Sequence, residues 1–118
     1  MPTMDLTAQN FEQTVLENDI VFVDFWASWC GPCRMFAPVY EAASEANDDI
    51  VFASVNTETE QQLSSAARVT SIPTLMAFKN GTLVFSQAGA LPAAALDQVI
   101  TAVRDFDVEA ARRESTED

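Results

Sequence analysis

The sequence predicts an α/β domain, and three observations lead to this fold class. Residues 20–27, IVFVDFWA, are apolar at seven of eight positions, as expected for a strand that is covered on both faces. A helical apolar pattern over residues 33–46 and a second apolar run over residues 50–55 complete a βαβ unit with parallel strands. The pair Asn80-Gly81, between two later strand patterns, predicts an antiparallel hairpin.

The length and composition of the chain favour one core. With 118 residues, of which 48% are hydrophobic, the chain can form a single domain, which we expect to span residues 1–106. From Asp105 onward the chain holds six acidic residues and two arginines, with little apolar surface to bury. Residues 107–118 are therefore predicted to form a frayed or disordered acidic tail, with a partner-binding tail as the alternative.

Two helices are predicted in the first half of the chain. Asn10 with Gln13, or Thr7 one turn earlier, fits the N-terminal cap of a helix that ends near Glu17. Pro38 lies inside the pattern of the second helix. Because proline lacks an amide donor and crowds the carbonyl one turn earlier, we expect a kink there.

The second half of the chain alternates helix and strand patterns. Thr57 and Glu60 have the spacing of a capping box that starts a short helix. Strand patterns over residues 74–79 and 82–88 flank the predicted hairpin turn. Pro92 suits the first turn of a last helix, since its missing amide costs nothing there. The apolar stripe of that helix consists of Leu96, Val99, Ile100 and Val103.

Charge and composition exclude several classes of function. The net charge of −12 disfavours sequence-independent binding to nucleic acids and adhesion to anionic membranes, since both require clustered basic residues. The chain contains no histidine, which removes histidine-based catalysis and imidazole ligation of metals. We therefore expect no nucleic-acid partner, no membrane partner and no metal.

The first residues and the cysteine count predict a compartment. Residues 1–10 are polar and lack the basic segment and the apolar run of a signal peptide. No stretch approaches the roughly 18 consecutive apolar residues that span a bilayer. Two cysteines are too few for the disulfide framework of a small secreted protein. These features favour the reducing cytoplasm, where a cysteine pair is more often reactive than structural.

The two cysteines lie where the first predicted strand gives way to a helix. Cys30 is thereby placed at a helix N-terminus, whose free amides and dipole stabilise a thiolate and lower the thiol pKa. Cys33 follows one turn later, where it should be less exposed and close enough to form a disulfide with Cys30. Pro32 stiffens the turn between them. The spacing predicts that Cys30 attacks a substrate disulfide and that Cys33 resolves the mixed disulfide.

The second step requires a proton acceptor for Cys33, and Asp24 is the candidate. It is the only polar residue of its predicted strand, and burial raises the pKa of a carboxyl group. A cap or surface role for Asp24 is the alternative. For the cysteines the alternatives are half of a zinc site, which lacks further Cys or His ligands here, and a structural disulfide.

Residues 23–34, VDFWASWCGPCR, resemble the active-site signature of the thioredoxin family in residue type and order. The resemblance continues through Pro38, through the segment TSIPTL at residues 70–75 and through Gly89-Ala90, and it covers residues 5–104. It implies the thioredoxin fold, an α/β fold with a central mixed β-sheet of four to five strands flanked by about four helices.

The same resemblance implies roles for individual residues. Cys30 matches the attacking cysteine, Cys33 the resolving cysteine and Asp24 the buried carboxyl group. Pro73 matches a cis-proline beside the active site, and Ile72 would offer backbone groups to an extended substrate segment. The residues implied in substrate binding are Trp29, Gly31, Pro32, Ile72, Pro73, Gly89 and Ala90.

One departure from the family pattern concerns proton transfer. Many members carry a lysine on the strand after the active-site helix, near the buried carboxyl group, whereas this chain has Ser54 there. Without that cation, Asp24 should be harder to ionise. Proton transfer from Cys33 would then be slower or rely on water.

The resemblance implies a general protein disulfide reductant, a monomer that takes part in electron transport and cell redox homeostasis. It would bind no cofactor and would be recycled by a flavin-dependent, NADPH-using thioredoxin reductase. Implied clients are ribonucleotide reductase, peroxiredoxins and methionine sulfoxide reductases. A dedicated thiol carrier or oxidase and a redox-inactive binding module are the alternatives, although Gly31-Pro32 between the cysteines favours a reductant.

Overall fold

The computed structural model describes residues 3–117, with side chains described for residues 3–114. Residues 1 and 2, at the start of the predicted domain, and residue 118, at the end of the predicted acidic tail, lie outside the described residues. The strands are β1 (Thr3–Asp5), β2 (Ile20–Trp26), β3 (Val51–Asn56), β4 (Thr74–Lys79) and β5 (Thr82–Ala88). The helices are α1 (Phe11–Glu17), α2 (Gly31–Ala46), α3 (Gln61–Ala66), α4 (Ala93–Asp105) and α5 (Val108–Glu117).

The strands form one mixed sheet in the order β1-β3-β2-β4-β5. Strand β3 is parallel to β1 and β2, whereas β4 is antiparallel to β2 and β5. The parallel β2–β3 pair and the β4–β5 hairpin confirm the predicted fold class. At the hairpin turn Asn80 and Gly81 have φ of +52° and +78°, the positive values that a tight two-residue turn requires.

Alternate side chains of β2 enter two different core layers. Phe22 lies on the side of α2 and α4, where its ring stacks on Phe52 with centroids 5.4 Å apart. Val21, Val23 and Phe25 lie on the other side, in the layer that includes residues of α1 and α3. Because β2 is covered on both faces, a polar residue within it is removed from water. Asp24 is that residue.

Helix α2 starts two residues earlier than its apolar pattern and continues through Pro38 to Ala46. The kink expected at Pro38 stays a prediction. Helix α4 follows its predicted stripe, with Leu96, Ile100 and Val103 buried.

The predicted capping box of the short helix is wrong. Helix α3 begins after Glu60, and neither Thr57 nor Glu60 provides a side-chain cap. Instead Glu60 Oε1 accepts the N–H of Ala8 at 2.9 Å, and Thr57 Oγ1 donates to the carbonyl of Trp26 at 3.0 Å. Both side chains bond to partners from distant parts of the chain, which local spacing does not reveal.

The cap of α1 also differs from the prediction. Asn10 is the residue before the helix, but its side chain bonds no helical amide. Its Oδ1 accepts the N–H of Thr7 at 2.7 Å, so the side chain closes the preceding turn.

Two elements were not predicted. Strand β1 pairs in parallel with β3. It was missed because its three residues are too few to show an alternating pattern. Helix α5 occupies most of the segment predicted to be frayed or disordered. Its start is capped by Asp107, whose Oδ1 accepts the N–H of Ala110 at 2.9 Å, and Val108 is 3% exposed. Within residues 3–117 no helix is both long and apolar enough to cross a membrane.

Candidate active site

The two cysteines occupy the turn that leads from β2 into α2. Cys30 is the N-cap residue of α2, and its Sγ accepts the N–H of Cys33 at 3.2 Å. Pro32 lies in the first turn of α2. Amide N–H groups in the first turn have no acceptor within the helix, so proline loses no hydrogen bond there. A sulfur in this position faces the positive end of the helix dipole, which stabilises a negative charge on it.

Cys30 and Cys33 form a disulfide, with their Cα atoms 5.2 Å apart. Both residues are almost fully buried, at 4% and 3% exposed, so the expected difference in exposure is very small. Ala27, Trp26 and Ile72 cover the pair. Because the two sulfurs are bonded to one another, the structure describes the oxidised form of the site.

Most of the residues expected to bind substrate lie around Cys30. Trp29 is 68% exposed and Ile72 is half-buried. The carbonyl oxygen of Ile72 lies 3.7 Å from Cys30 Sγ, and the peptide bond between Ile72 and Pro73 is cis. The N–H of Gly89 donates to the carbonyl of Pro73 at 2.8 Å, which places the Gly89 loop next to the cis-proline.

The other three predicted substrate-binding positions lie at the surface of the same region. Pro32 is exposed and Gly31 is half-buried in the first turn of α2. Ala90 is exposed and follows Gly89, whose φ of +105° lies in the region that favours glycine.

Asp24 is buried within β2 and is 5% exposed. Its Oδ1 has no hydrogen-bond partner among the described residues. Burial without a compensating partner disfavours the charged carboxylate, and this desolvation raises the pKa of Asp24 to about 7. The group is thus able to gain or lose a proton near neutral pH.

A cavity of about 230 Å³ connects Asp24 with Cys33. A single water needs only about 15 Å³ of such space, so the cavity is large enough to hold water. Its wall is lined by Thr3, Asp24, Trp26, Ala27, Ser28, Cys33, Arg34, Ala37, Tyr40, Glu41 and Ser54. Because Ser28 and Arg34 are exposed residues, the cavity reaches the protein surface beside the active-site turn.

Three residues of the active-site region were not anticipated from the sequence. The backbone and side chain of Ser28 bond to Glu58 and Arg34, which hold the turn that carries Cys30. One signal was available for Glu58. It follows the carboxyl end of β3, and the carboxyl ends of neighbouring parallel strands meet at one edge of a sheet.

A metal ion needs several ligand side chains, such as those of acidic and cysteine residues, arranged close together. Among the described residues no group of three or more Cys, Asp or Glu side chains is arranged to bind a metal ion. The two cysteines are already bonded to one another in this structure.

Fold and site together define a dithiol–disulfide oxidoreductase: a reactive disulfide lies at a helix N-terminus, next to a cis-proline, and shares a cavity with a buried carboxyl group. Comparisons with known proteins agree with this class. The family model Thioredoxin matches residues 2–102.

Relatives and solved structures resemble most of the chain. A Streptomyces coelicolor protein that carries a thioredoxin name is 51% identical over 111 residues, which cover 94% of this chain and 83% of that protein. Thioredoxin 1 of Nostoc sp. is 46% identical over 97 residues, covering 80% of this chain and 91% of its own. A mutant thioredoxin from Halobacterium salinarum superposes with a TM-score of 0.82 at 31% identity, covering 89% of this chain and 93% of its own.

The chain belongs to the thioredoxin family. It is a thiol–disulfide reductant with protein-disulfide oxidoreductase activity, and Cys30–Cys33 is its redox-active disulfide. Members of the family need no bound cofactor.

Proposed function

We propose that Cys30 is the nucleophile through which this reductant attacks its clients. The observation that carries the proposal is the position of Cys30 Sγ, at the N-terminus of α2 and 3.7 Å from the carbonyl of Ile72. In the reduced protein, the Cys30 thiolate attacks one sulfur of the client disulfide. A bond forms between Cys30 Sγ and that sulfur, and the other client sulfur leaves as a thiolate and takes up a proton.

The second step releases the client. Cys33 loses its proton, its thiolate attacks Cys30 Sγ, and the bond between Cys30 and the client breaks. The client sulfur leaves as a thiolate and is protonated, so the client gains two electrons and two protons. The protein ends with the Cys30–Cys33 disulfide seen in the structure.

Asp24 is proposed to accept the proton of Cys33. Both residues line the same cavity, which can hold a connecting water. A pKa of about 7 leaves the carboxyl group partly ionised near neutral pH, as an acceptor and later donor of a proton requires.

The client is proposed to lie across the surface around Cys30. An extended segment would pair with the backbone at Ile72, in the manner of an added strand. Exposed Trp29 offers a flat apolar surface beside the sulfur. The full proposed binding set is Trp29, Gly31, Pro32, Ile72, Pro73, Gly89 and Ala90.

The family implies a thioredoxin reductase and disulfide-containing clients in general. For this chain we propose, more specifically, a flavin-dependent reductase that supplies electrons from NADPH. Ribonucleotide reductase, peroxiredoxins and methionine sulfoxide reductases are the proposed clients. The proposed setting is a monomer in the cytoplasm, in electron transport and redox homeostasis. The catalytic domain is proposed to end at residue 106, before the acidic segment 107–118.

Reductase-coupled reduction of insulin tests the proposal. The wild-type chain should consume NADPH in the presence of insulin and a bacterial thioredoxin reductase, and Cys30→Ser should abolish the activity. Cys33→Ser should instead accumulate a disulfide between Cys30 and the client, which mass spectrometry detects after alkylation. If Cys33→Ser formed no disulfide between Cys30 and a client, or if Cys30→Ser kept activity, the assignment of the nucleophile would be wrong.

A double variant separates redox function from the alternative of a binding module. Cys30→Ser with Cys33→Ser removes both sulfurs at little change in volume. Loss of the biological function in this variant supports a redox role, whereas preserved function would contradict it.

A further inference from the structure

All three hydrogen-bonding groups of Ser28 are held by two side chains, one from the turn after β3 and one from α2. The N–H of Ser28 donates to Glu58 Oε1 at 3.0 Å, and its hydroxyl donates to the same oxygen at 2.8 Å. On the other side, Arg34 donates to the carbonyl oxygen of Ser28 at 2.8 Å. We call Ser28, Glu58 and Arg34 the Ser28 clamp.

The Glu58 side of the clamp is fixed by the end of β3. Trp26 and Asn56 are register partners at the carboxyl ends of β2 and β3. Thr57 then donates its N–H to the carbonyl of Trp26 at 2.8 Å, and the N–H of Glu58 donates to Asn56 Oδ1 at 2.9 Å. The turn that carries Glu58 is therefore tied to the same strand end from which Ser28 departs.

The Arg34 side of the clamp comes from the first turns of α2. The N–H of Arg34 donates to the carbonyl of Cys30 at 3.2 Å, while its guanidinium reaches back to Ser28. Within the turn itself, the N–H of Cys30 donates to the carbonyl of Ala27 at 3.3 Å. Residues 27–30 are thus held from both sides, by two side chains whose hydrogen bonds go to Ser28 and not to a sulfur.

We propose that Glu58 and Arg34 are positioning residues, which hold the active-site turn so that Cys30 meets the client disulfide in line. This inference rests on the proposed role of Cys30 as nucleophile and adds residues that act through Ser28. In the attack, Cys30 Sγ and the two sulfurs of the client disulfide must be nearly collinear. A turn that is already ordered loses less conformational entropy in reaching that geometry.

The interaction with Glu58 also has an electrostatic side. The backbone and hydroxyl donors of Ser28 stabilise the carboxylate and lower the pKa of Glu58 from its ordinary value. Glu58 is therefore ionised over the pH range in which Cys30 acts. A negative charge near Cys30 opposes formation of a thiolate, so any gain from Glu58 must come from geometry and not from its charge.

Three variants separate geometry from charge. Glu58→Ala removes both the acceptor and the charge, whereas Glu58→Gln removes the charge and keeps an amide oxygen that can accept from Ser28. Glu60→Ala is the matched control. Its carboxylate lies two residues away and accepts a single backbone N–H, that of Ala8, far from the active-site turn in sequence.

The measurement is the second-order rate constant of the reduced protein with the small uncharged aromatic disulfide 2,2′-dithiodipyridine, followed by stopped-flow absorbance. Working at about pH 9, above the ordinary thiol pKa of about 8.5, keeps Cys30 ionised in every variant. We expect Glu58→Ala to lower the rate constant about fivefold through the loss of orientation. Glu58→Gln and Glu60→Ala should stay within about twofold of wild type, since the first keeps the acceptor and the second leaves the clamp intact.

A rate constant of Glu58→Ala within about twofold of wild type would overturn the proposal. So would an equal loss in Glu58→Gln and Glu58→Ala, because the acceptor oxygen that glutamine keeps would then have no effect on the rate constant. Failure of the proposed function is a different result, in which the reduced wild-type chain itself does not react through Cys30.

A double-mutant cycle keeps the test valid if Glu58→Ala loosens the fold. Ser28→Ala removes only the hydroxyl donor. If Glu58 acts through Ser28, the effect of Ser28→Ala on the rate constant should shrink in the Glu58→Ala background. Additive effects of the two substitutions would contradict the clamp.

Lysine at position 34 keeps a donor for the Ser28 carbonyl, so Arg34→Lys should retain more of the rate than Arg34→Met.

Discussion

Asp24 and Ser54 are register partners in the parallel β2–β3 pair, yet Asp24 Oδ1 receives no hydrogen bond from Ser54. The hydroxyl of Ser54 donates instead to Asp5 Oδ1 on β1, at 3.1 Å. Among the described residues, no cation or hydrogen-bond donor therefore stabilises a charge on that oxygen of Asp24. Desolvation alone then sets the pKa of Asp24 at about 7, where it can exchange a proton with Cys33.

The raised pKa of Asp24 predicts how stability depends on pH. Below about pH 4 the carboxyl group is protonated in both the folded and the unfolded chain, and stability is highest with respect to this group. As the pH rises from about 4 to about 7, the unfolded chain releases the proton and the folded chain keeps it, so stability falls. Above the folded pKa the loss is complete, at most about 4 kcal/mol.

Asp24→Asn should remove this pH dependence. We expect the oxidised variant to be more stable than wild type at about pH 8, by up to about 4 kcal/mol, and nearly equal to it at about pH 4. Urea unfolding at both pH values measures the difference. If the gain in stability of Asp24→Asn over wild type were the same at both pH values, the pKa of Asp24 would not be raised.

A lysine in place of Ser54 should lower the pKa of Asp24. The ammonium group would lie on the strand next to the buried carboxylate and favour its charged form. Infrared titration of the Asp24 carboxyl band measures the shift, with Ser54→Met as a control of similar length and no charge. A pKa that falls equally in both variants would mean that the two side chains do not interact electrostatically.

Trp29→Ala should weaken client binding and leave the fold intact. The side chain is 68% exposed, so its removal creates no cavity, and we expect the free energy of unfolding to change by less than about 0.5 kcal/mol. Loss of its apolar contact with the client should raise the KM for insulin roughly fivefold, which is about 1 kcal/mol. An unchanged KM would exclude Trp29 from the client surface.

Val108→Ala tests whether the acidic C-terminal segment is attached to the domain. Val108 is 3% exposed, and its truncation should lower the free energy of unfolding by about 1 kcal/mol. Leu16→Ala is the control, because Leu16 is 63% exposed and should change stability by less than about 0.5 kcal/mol. Equal stability of Val108→Ala and wild type would support the frayed tail expected from composition.

The parts of the fold that local sequence determines were predicted. The apolar run over residues 20–27 matches a strand covered on both sides, and Asn80-Gly81 forms the tight turn that its residue types favour. The cysteine pair at a strand-to-helix junction predicted the helix N-terminus at Cys30. In each case the residues that determine the local structure lie within a few positions of that structure.

The parts that depend on distant contacts were not predicted. Glu60 looked like a helix cap but bonds to Ala8, which lies 52 positions away. Ser28 and Glu58 are 30 positions apart and meet only because two parallel strands end at the same edge. Helix α5 was missed because charge outweighed its few apolar residues, although Asp107 and Val108 supply a cap and an anchor.

The reduction potential of the Cys30–Cys33 pair tests the central claim most directly. Equilibration of the protein with glutathione buffers, read by alkylation and mass spectrometry, gives the value. A reductant of this family should lie near about −270 mV, the value typical of thioredoxin. A potential above about −200 mV, in the range of isomerases and oxidants, would contradict the assignment as a general disulfide reductant.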